Sequence, residues 1–258
     1  MIRKQESMVD KVEKYLLNYI KQKGAAHLTL IDPEKVTTAS AASTASLAEK
    51  SNTAAIMVGG STSMSTTHLD NVLKAIKKSI KIPVILFPNN VTGISRYADA
   101  IWFMSLVNSL DPYFLIGAQI LGAPMVKRYS LEAIPLGYII VGEGGTASIV
   151  GRAAPIPYEK PELAVAHALA AQYLGMRFVY LEGGSGVSTP VPPKMIQMVK
   201  SQINIPLIVG GGIKTGEQAK KAVAAGADLI VTGTVIEQDG GQTKIRELIE
   251  NIKTARTE

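Results

Sequence analysis

Short apolar runs, each long enough for one buried strand, recur along the whole of this 258-residue chain. Eight such runs are present, at residues 27–31, 54–58, 83–87, 100–104, 136–141, 178–182, 206–210 and 228–233. Their shortness and β-branched content are typical of parallel strands that are buried on both faces. Most of the runs are followed by a polar or glycine-rich loop and then by residues with helical periodicity. This repetition limits the chain to folds in which strands and helices alternate.

Helical periodicity connects the predicted strands, and several of the helices have clear start signals. The predicted helices are at residues 7–23, 35–50, 66–79, 111–127, 159–174, 191–201, 215–225 and 242–255. Asp32-Pro33 and Asp111-Pro112 precede two of them, and Thr215 with Gln218 forms a capping box before a third. With no linker or shift in composition, the pattern predicts one domain over residues 1–258, a (β/α)8 TIM barrel. An open, doubly wound sheet is the alternative fold.

The third unit of the predicted barrel departs from the pattern. Only twelve residues, 88–99, separate the third and fourth apolar runs, and they include Asn89, Asn90 and Gly93. A full crossover helix scarcely fits this length. We therefore expect a loop in place of the third helix, with a short, poorly formed helix as the alternative. The segment before the first strand is then an extra N-terminal helix that covers the barrel floor.

Composition narrows the classes of function. The chain has no cysteine, which excludes disulfides, thiolate metal sites and a cysteine nucleophile. Aromatic residues make up 5% of the chain, too few for a stacking groove, so no nucleic-acid partner is expected. Lysine and arginine exceed acidic residues by 27 to 21, a mild bias that suits a phosphorylated substrate or an anionic membrane surface. A solvated basic N-terminal helix explains half of that bias equally well.

The N-terminal segment contains no continuous apolar run that would form a signal peptide or a membrane span. We therefore expect a cytoplasmic protein. Its basic N-terminal helix would allow transient contact with a membrane surface.

Glycine-rich loops follow the last three predicted strands. In a barrel, the residues at the C-terminal ends of the strands face a common mouth, where active sites lie. The loops are Gly183-Gly184-Ser185-Gly186 after strand six, Gly210-Gly211-Gly212 after strand seven and Gly233-Thr234 after strand eight. Such loops expose backbone N–H groups and keep side chains out of the way. Together with the hydroxyls of Ser185 and Thr234, they predict a phosphate site.

Two carboxylates at strand ends are candidates for chemistry. Asp32 either caps the following helix or, with Ser61 on the neighbouring loop, holds a hard cation such as Mg²⁺ together with substrate phosphate oxygens. Glu182 lies next to the phosphate-binding glycines, so it either acts as a general base on a small phosphorylated substrate or is a solvated loop acid.

The absence of certain residue types from the strand ends argues against some classes of enzyme. No strand end carries a lysine, which argues against a Schiff-base aldolase. His27, His68 and His167 are scattered, so neither a zinc cluster nor a Ser-His-Asp arrangement is predicted. Another phosphate-binding barrel enzyme, such as a sugar-phosphate isomerase or a flavin-dependent oxidoreductase, remains an alternative. A non-catalytic phosphate-binding protein is the alternative from another class.

Several segments, spread over nearly the whole chain, carry a family resemblance. They are LTLIDPEK at 28–35, IMVGGST at 56–62, FMSLVNSLDPYFLIGAQILGAPMVK at 103–127, IPLGYIIVGEGGT at 134–146, YLEGGSGV at 180–187, IVGGGIKTGEQAKKAVAAGAD at 208–228 and IVTGTVIE at 230–237. With these segments the chain resembles the geranylgeranylglyceryl phosphate synthases of archaea, which are similar to bacterial heptaprenylglyceryl phosphate synthases. FMSLVNS and YLEGGSG are the most specific of the matching segments.

The resemblance implies an enzyme that forms the first ether bond of archaeal membrane lipids. Such an enzyme transfers a geranylgeranyl group from geranylgeranyl diphosphate to the 3-hydroxyl of sn-glycerol 1-phosphate with the help of Mg²⁺. The implied roles are base for Glu182 and Mg²⁺ ligands for Asp32 and Ser61. The implied glycerol phosphate site consists of Tyr180, Leu181, Glu182, Gly183, Gly184, Ser185, Gly186, Gly211, Gly212, Gly233 and Thr234. The resemblance also implies a homo-oligomer.

Two positions depart from the family pattern. Related sequences usually have alanine where this chain has Gly183, a change that a phosphate loop tolerates. They usually have Pro-Gly-Gly where this chain has Glu143-Gly144-Gly145. An acid at position 143 lies near the expected diphosphate end of the site, and the resemblance therefore assigns no role to that loop.

Overall fold

The computed structural model describes residues 11–60, 65–233 and 241–255, and within them eight parallel strands form a closed barrel. The strands are β1 (Ala26–Ile31), β2 (Ala55–Val58), β3 (Val84–Leu86), β4 (Ala100–Leu106), β5 (Glu132–Ile140), β6 (Phe178–Glu182), β7 (Leu207–Gly210) and β8 (Leu229–Thr232). Each strand pairs with its neighbour in sequence, and β1 pairs with β8 to close the barrel. The predicted TIM barrel is confirmed, and the open-sheet alternative is wrong.

Helices surround the barrel in the expected order. They are α1 (Lys11–Lys23), α2 (Thr38–Lys50), α3 (Thr66–Ser79), α4 (Ala118–Tyr129), α5 (Gly145–Val150), α6 (Pro161–Tyr173), α7 (Pro193–Lys200), α8 (Gly216–Ala224) and α9 (Gly241–Thr254). Among the described residues, no helix is both long and apolar enough to cross a membrane.

The third unit lacks its α-helix, as predicted. Between β3 and β4 the chain forms only a short 3-10 turn, Val91–Gly93, in which the side chain of Asn90 accepts a hydrogen bond from the Thr92 N–H (2.8 Å). This side of the barrel is therefore covered by a loop rather than by a helix. The apolar cavity described below lies where the helix is missing.

Helix α1 covers the floor of the barrel, which confirms the predicted extra helix. Leu16 is fully buried in the interior cluster, together with Trp102 and Phe178. The Glu132 carboxylate, at the start of β5, accepts hydrogen bonds from the N–H groups of Val12 (2.7 Å) and Glu13 (2.8 Å). A carboxylate at a helix N-terminus satisfies donors that have no partner within the helix.

The N-terminal ends of the strands carry similar ion pairs in both halves of the barrel. Asp99, just before β4, accepts a bond from Lys77 Nζ (2.6 Å) and one from the first N–H of β3 (2.8 Å). Asp228, just before β8, accepts a bond from Lys200 Nζ (2.6 Å) and one from the first N–H of β7 (2.8 Å). Each carboxylate ties two strands and a helix together. Polar side chains at this end of the barrel thus serve stability, which leaves the opposite end for function.

Some boundaries differ from the prediction for identifiable reasons. Strand β5 begins at Glu132, four residues before the predicted start. The sequence pattern missed this start because Glu132 is polar, although α1 buries it. Asp32 caps a 3-10 turn, and α2 begins only at Thr38, where its N-cap Thr37 forms a capping box with Ser40. A π-helical turn, residues 113–117, precedes α4, and α5 was not predicted at all.

Candidate functional site

Two adjoining cavities open at the C-terminal ends of the strands. The polar cavity has a volume of about 600 Å³, and the apolar cavity has a volume of about 160 Å³. Both are lined by Leu30, Gly59, Gly60, Glu182 and Ser185. A molecule with a polar and an apolar end could therefore occupy both cavities, with the junction beside Glu182.

The polar cavity contains most of the residues expected to bind phosphate. Its lining includes Tyr180, Glu182, Gly184, Ser185, Gly186, Gly211, Gly212 and Gly233. Leu181 lies elsewhere, because alternate residues of a strand point to opposite faces and its buried side chain packs between β6 and the helices. Gly183 uses its N–H to bond to the Gly210 carbonyl (3.0 Å). Ser61 and Thr234 lie outside the described residues.

The glycine loops pack backbone against backbone. Gly211 adopts a left-handed conformation (φ +84°), and a Cβ there would lie 2.5 Å from the Gly184 nitrogen and 2.6 Å from Glu182 Oε1. Gly144, after β5, donates a hydrogen bond to the Gly183 carbonyl (3.0 Å). A side chain at position 211 would separate the loops that follow β6 and β7. The polar cavity therefore depends on glycine at this position.

Glu182 is buried at the end of β6, with 7% of its surface exposed. Its Oε1 accepts a hydrogen bond from the Gly184 N–H (2.7 Å), and the hydroxyls of Tyr180 and Tyr138 also donate to the carboxylate. Burial raises the pKa of Glu182, whereas these three donors favour the charged form and limit the rise. The result is a carboxylate that is more basic than an exposed one and that is held in a defined position. A general base needs both properties.

Three aromatic rings lie beneath the Glu182 carboxylate. Tyr138 and Tyr180 meet edge to face with ring centroids 5.2 Å apart, and Phe87 lies 5.4 Å from Tyr138 and 5.8 Å from Tyr180. Burial and the negative charge of Glu182 raise the pKa of both tyrosine hydroxyls well above the usual value. The hydroxyls therefore stay protonated and act as donors to Glu182.

Asp32 lines the polar cavity at the end of β1. Its Oδ1 accepts a hydrogen bond from the Glu34 N–H (3.1 Å), and its Oδ2 lies 3.5 Å from Lys35 Nζ. A Cβ at Gly60 would lie 2.5 Å from Asp32 Oδ1, so the carboxylate rests against the backbone after β2. The helix-capping role and the cavity-lining position thus occur together, and the sequence alternatives do not exclude each other.

The donors around Asp32 suit a cation that takes most of its ligands from substrate and water. Within the described ranges, no group of three or more histidine, aspartate or glutamate side chains converges on one point. Mg²⁺ is commonly held by one or two carboxylates together with phosphate oxygens. Asp32, which lines the polar cavity, fits such a site.

Several residues of the two cavities escaped sequence analysis. Tyr138 lies within an apolar strand and looks like a core residue, so no local signal shows its bond to Glu182. Lys214 and Lys244 line the polar cavity from the segment after β7 and from α9, where a lysine is usually a solvated surface residue. The apolar cavity is formed by separate segments, including Trp102, Phe114 and Gly122.

Glu143 is exposed beside the loops, and its charge contributes to the raised pKa of a neighbouring tyrosine. Burial, with further contributions from Glu143 and Glu182, raises the pKa of Tyr158 to about 12. The Tyr158 hydroxyl donates to the Thr189 carbonyl (3.1 Å) and lies 3.0 Å from the position of a Cβ on Gly183. The side chain of an alanine at position 183 would therefore contact this hydroxyl.

Comparison with known proteins identifies the family of the chain. The model of the PcrB family matches residues 17–252. The geranylgeranylglyceryl phosphate synthase of Thermofilum pendens is 55% identical over 251 residues, which cover 97% of each chain.

Two solved structures share the fold over nearly their whole length. The (S)-3-O-geranylgeranylglyceryl phosphate synthase of Thermoplasma acidophilum, in complex with its substrate sn-glycerol-1-phosphate, is 40% identical with a TM-score of 0.88, covering 93% of this chain and 98% of that one. The wild-type GGGPS of Thermoplasma volcanium is 42% identical with a TM-score of 0.90, covering 93% and 97%. The chain therefore belongs to the PcrB family, alongside the geranylgeranylglyceryl phosphate synthases, and is a prenyltransferase.

Proposed function

We propose that this chain transfers a geranylgeranyl group from geranylgeranyl diphosphate to the 3-hydroxyl of sn-glycerol 1-phosphate, as a single prenyltransferase domain over residues 1–258. One observation carries the proposal. The glycine-lined polar cavity and the apolar cavity meet at the buried carboxylate of Glu182. A phosphorylated acceptor and an apolar donor can therefore be bound on either side of one base.

The polar cavity suits glycerol phosphate. Backbone N–H groups of glycine loops bind phosphate without a specific side chain, and Lys214 and Lys244 add positive charge at the cavity wall. The related Thermoplasma acidophilum enzyme is described with sn-glycerol-1-phosphate as its bound substrate. A phosphate at the loops would place the glycerol carbons toward Glu182, which lines the same cavity.

The apolar cavity suits the prenyl chain. Its lining includes the aromatic rings of Phe87, Trp102 and Phe114, together with aliphatic and methionine side chains. Apolar surface of this kind gains free energy when it is removed from water by a hydrocarbon chain. The diphosphate of the donor would then lie at the junction, near Gly60 and Asp32.

The reaction requires one proton transfer and one substitution at carbon. The oxygen of the glycerol 3-hydroxyl forms a bond to C1 of the geranylgeranyl group, the bond from C1 to the diphosphate oxygen breaks, and its electron pair leaves with diphosphate. Glu182 accepts the hydroxyl proton. Tyr138 and Tyr180 hold the carboxylate in place, and the cavity walls orient the two reacting atoms and exclude water.

Asp32 is the described residue that would hold Mg²⁺, with Ser61 as a second expected ligand outside the described residues. When bound there, Mg²⁺ would neutralise the negative charge that the departing diphosphate acquires. Lys35, 3.5 Å from Asp32, is placed to bind the same diphosphate.

The surface of the barrel supports a homo-oligomer. Nine of the ten large apolar side chains that are exposed among the described residues lie between Leu110 and Leu174, on or near α4, α5 and α6. Tyr173 and Leu174, for example, are 79% and 77% exposed. Extensive exposed apolar surface often marks a contact with another protein. We therefore assign this face to contact with a second copy of the chain.

We also propose that α1 makes transient contact with a membrane surface. The apolar face of α1 packs into the barrel floor through Val12 and Leu16, so it is not available for insertion into lipid. Contact would have to be electrostatic, through the lysines of α1, and would be weakened by salt. A cytoplasmic location is consistent with such transient contact.

The substrate assignment predicts the product of a defined reaction. With geranylgeranyl diphosphate and Mg²⁺, sn-glycerol 1-phosphate should yield the prenyl ether, and the sn-glycerol 3-phosphate enantiomer should yield little. Chelation with EDTA should stop the reaction, and added Mg²⁺ should restore it. Chromatography of the extracted lipid measures the product. If neither enantiomer yields the ether, the proposed function is wrong.

In the same assay, the variant Asp32→Asn tests whether Asp32 binds Mg²⁺ rather than glycerol phosphate. Turnover should fall roughly 100-fold because the amide has lost the negative charge that binds Mg²⁺. Binding of glycerol phosphate, measured by calorimetry without the prenyl substrate, should remain within about twofold. Equal losses of binding and turnover would place Asp32 in the glycerol phosphate half of the site.

The hydrogen bond from Tyr138 predicts a change in pH dependence. The base must be ionised, so kcat/KM should fall as the pH drops through the raised pKa of Glu182. Tyr138→Phe removes a donor that favours the charged form, and the acid limb should therefore move to higher pH. At pH 7 the rate should fall by up to about tenfold, the worth of one hydrogen bond to a charged group.

Tyr19→Phe is the matched control for this measurement. Tyr19 lies on α1, which covers the barrel floor, and its hydroxyl donates to the Asn52 carbonyl (3.0 Å), so the variant should keep the wild-type pH profile. An unchanged acid limb in Tyr138→Phe would show that another group controls the ionisation.

The oligomer assignment predicts that one charge on the apolar face separates the copies. Light scattering at micromolar concentration should give wild type a multiple of the single-chain mass, and Ile120→Arg should shift it toward one chain. A buried unpaired charge is costly at an interface. Leu17→Arg, at the one large exposed apolar side chain outside this face among the described residues, should not change the mass. A monomeric wild type would contradict the assignment.

A further inference from the structure

The polar residues at the end of β4 belong to the specific segment FMSLVNS, yet no role in the proposed reaction has been given to them. Their side chains bond to backbone groups of the surrounding segments. The Ser105 hydroxyl donates to the Leu115 carbonyl (2.7 Å) in the turn before α4, and the Ser109 hydroxyl donates to the Gly151 carbonyl (2.6 Å). Asn108 bonds to two segments that are far apart in the sequence.

Asn108 is buried, with 6% of its surface exposed, and its amide connects two separate segments. The Nδ2 group donates to the carbonyls of Ile140 and Ala154 (both 2.8 Å), and Oδ1 accepts a bond from the Ile140 N–H (3.1 Å). The Asn108 carbonyl accepts a fourth bond, from the Ala154 N–H (2.9 Å). Asn108 therefore fixes both ends of the segment that runs from the end of β5 to residue 154.

This segment, residues 141–153, forms part of the wall of both cavities. Thr146 lines the polar cavity, and Ala147, Val150 and Gly151 line the apolar one. The segment contains α5, a helix of only six residues, which is too short to be stable on its own. Its position must come from contacts with neighbouring parts of the chain. Asn108 supplies the contacts at its base, and the bonds from Ser109 to Gly151 and from Gly144 to Gly183 add to them.

The same amide also touches the strand that positions the base. Ile140 lies directly opposite Glu182 in the pairing of β5 with β6, and the next residue, Val141, donates its N–H to the Glu182 carbonyl (2.9 Å). Tyr138, two residues before Ile140, donates to the Glu182 carboxylate. A shift of β5 at Ile140 would therefore move a donor of the base as well as the cavity wall.

We propose that Asn108 is a positioning residue for prenyl transfer: its amide holds the 141–153 wall and the end of β5 so that the prenyl diphosphate meets Glu182 in the reactive geometry. The inference rests on the proposed function. It assigns Asn108 to the prenyl half of the site, because the phosphate loops that follow β6 and β7 make none of the four bonds described.

Only an amide satisfies all of these bonds. The two carbonyls need N–H donors, and the Ile140 N–H needs an acceptor, which together match the donor and acceptor atoms of asparagine. An aspartate side chain at this position would have nearly the same shape, but its carboxylate would face two carbonyl oxygens and leave both without their donor. The substitution Asn108→Asp therefore tests the hydrogen bonds with almost no change of volume.

In the product assay, Asn108→Asp should lower kcat/KM for geranylgeranyl diphosphate by roughly 10- to 100-fold, because small displacements of reacting atoms cost about this much. The Kd of glycerol phosphate, measured by calorimetry, should stay within about twofold of wild type. Asn251→Asp is the matched control. The Asn251 amide also donates to a carbonyl, that of Glu247 (2.9 Å), but on α9, and this variant should keep wild-type kinetics.

A milder variant keeps the test decisive if Asn108→Asp does not fold. Ser109→Ala removes the bond to the Gly151 carbonyl, together with the bonds between the Ser109 hydroxyl and the backbone of Asp111. This variant should raise KM for geranylgeranyl diphosphate by about threefold, with the Kd of glycerol phosphate unchanged. An inactive wild type would overturn the proposed function itself. With an active wild type, kinetics of folded Asn108→Asp within twofold of wild type, or an equal loss of glycerol phosphate binding, would overturn the positioning role. If only Ser109→Ala folds, an unchanged KM would overturn it.

Discussion

The buried carboxylate of Glu182 is the point at which the two halves of the site meet. Burial raises the pKa of the carboxylate, whereas the N–H of Gly184 and the hydroxyls of Tyr138 and Tyr180 favour its charged form and orient it. The close packing of Gly211 against Glu182 and Gly184 links the same carboxylate to the phosphate loops. Moving Glu182 would therefore disturb the base, the phosphate site and the wall of the apolar cavity together.

The barrel separates stability from function by the direction of its strands. At the N-terminal ends, Asp99, Asp228 and Glu132 use carboxylates to tie strands and helices together. At the C-terminal ends, Asp32 and Glu182 face cavities instead. The loss of a helix in the third unit leaves room for the apolar cavity, which a regular barrel would fill with packing. The missing helix is thus a local departure from the regular TIM barrel, and it lies beside the candidate site.

The sequence predicted features that depend on local pattern. Eight strands, the missing third helix, the extra N-terminal helix and the capping box at Thr215 were all predicted from periodicity, spacing and turn chemistry. Features that depend on contacts between distant segments could not be predicted. Tyr138 looks like a core residue until β5 is paired with β6. The polar start of β5 is buried only because Glu132 contacts α1, which is distant in the sequence. The direction of Leu181, away from the cavity, likewise follows from strand register, which the glycine motif alone does not give.

The most direct test of the account is a separate measurement of binding and turnover in Glu182→Gln. The glutamine keeps the size of the side chain but cannot accept the hydroxyl proton. We expect the Kd of glycerol phosphate to stay within about twofold, because backbone N–H groups hold the phosphate, while single-turnover prenyl transfer falls by on the order of 10² to 10⁴. Retention of most of the single-turnover rate would contradict the central claim, because the proton would then be accepted by a group other than Glu182.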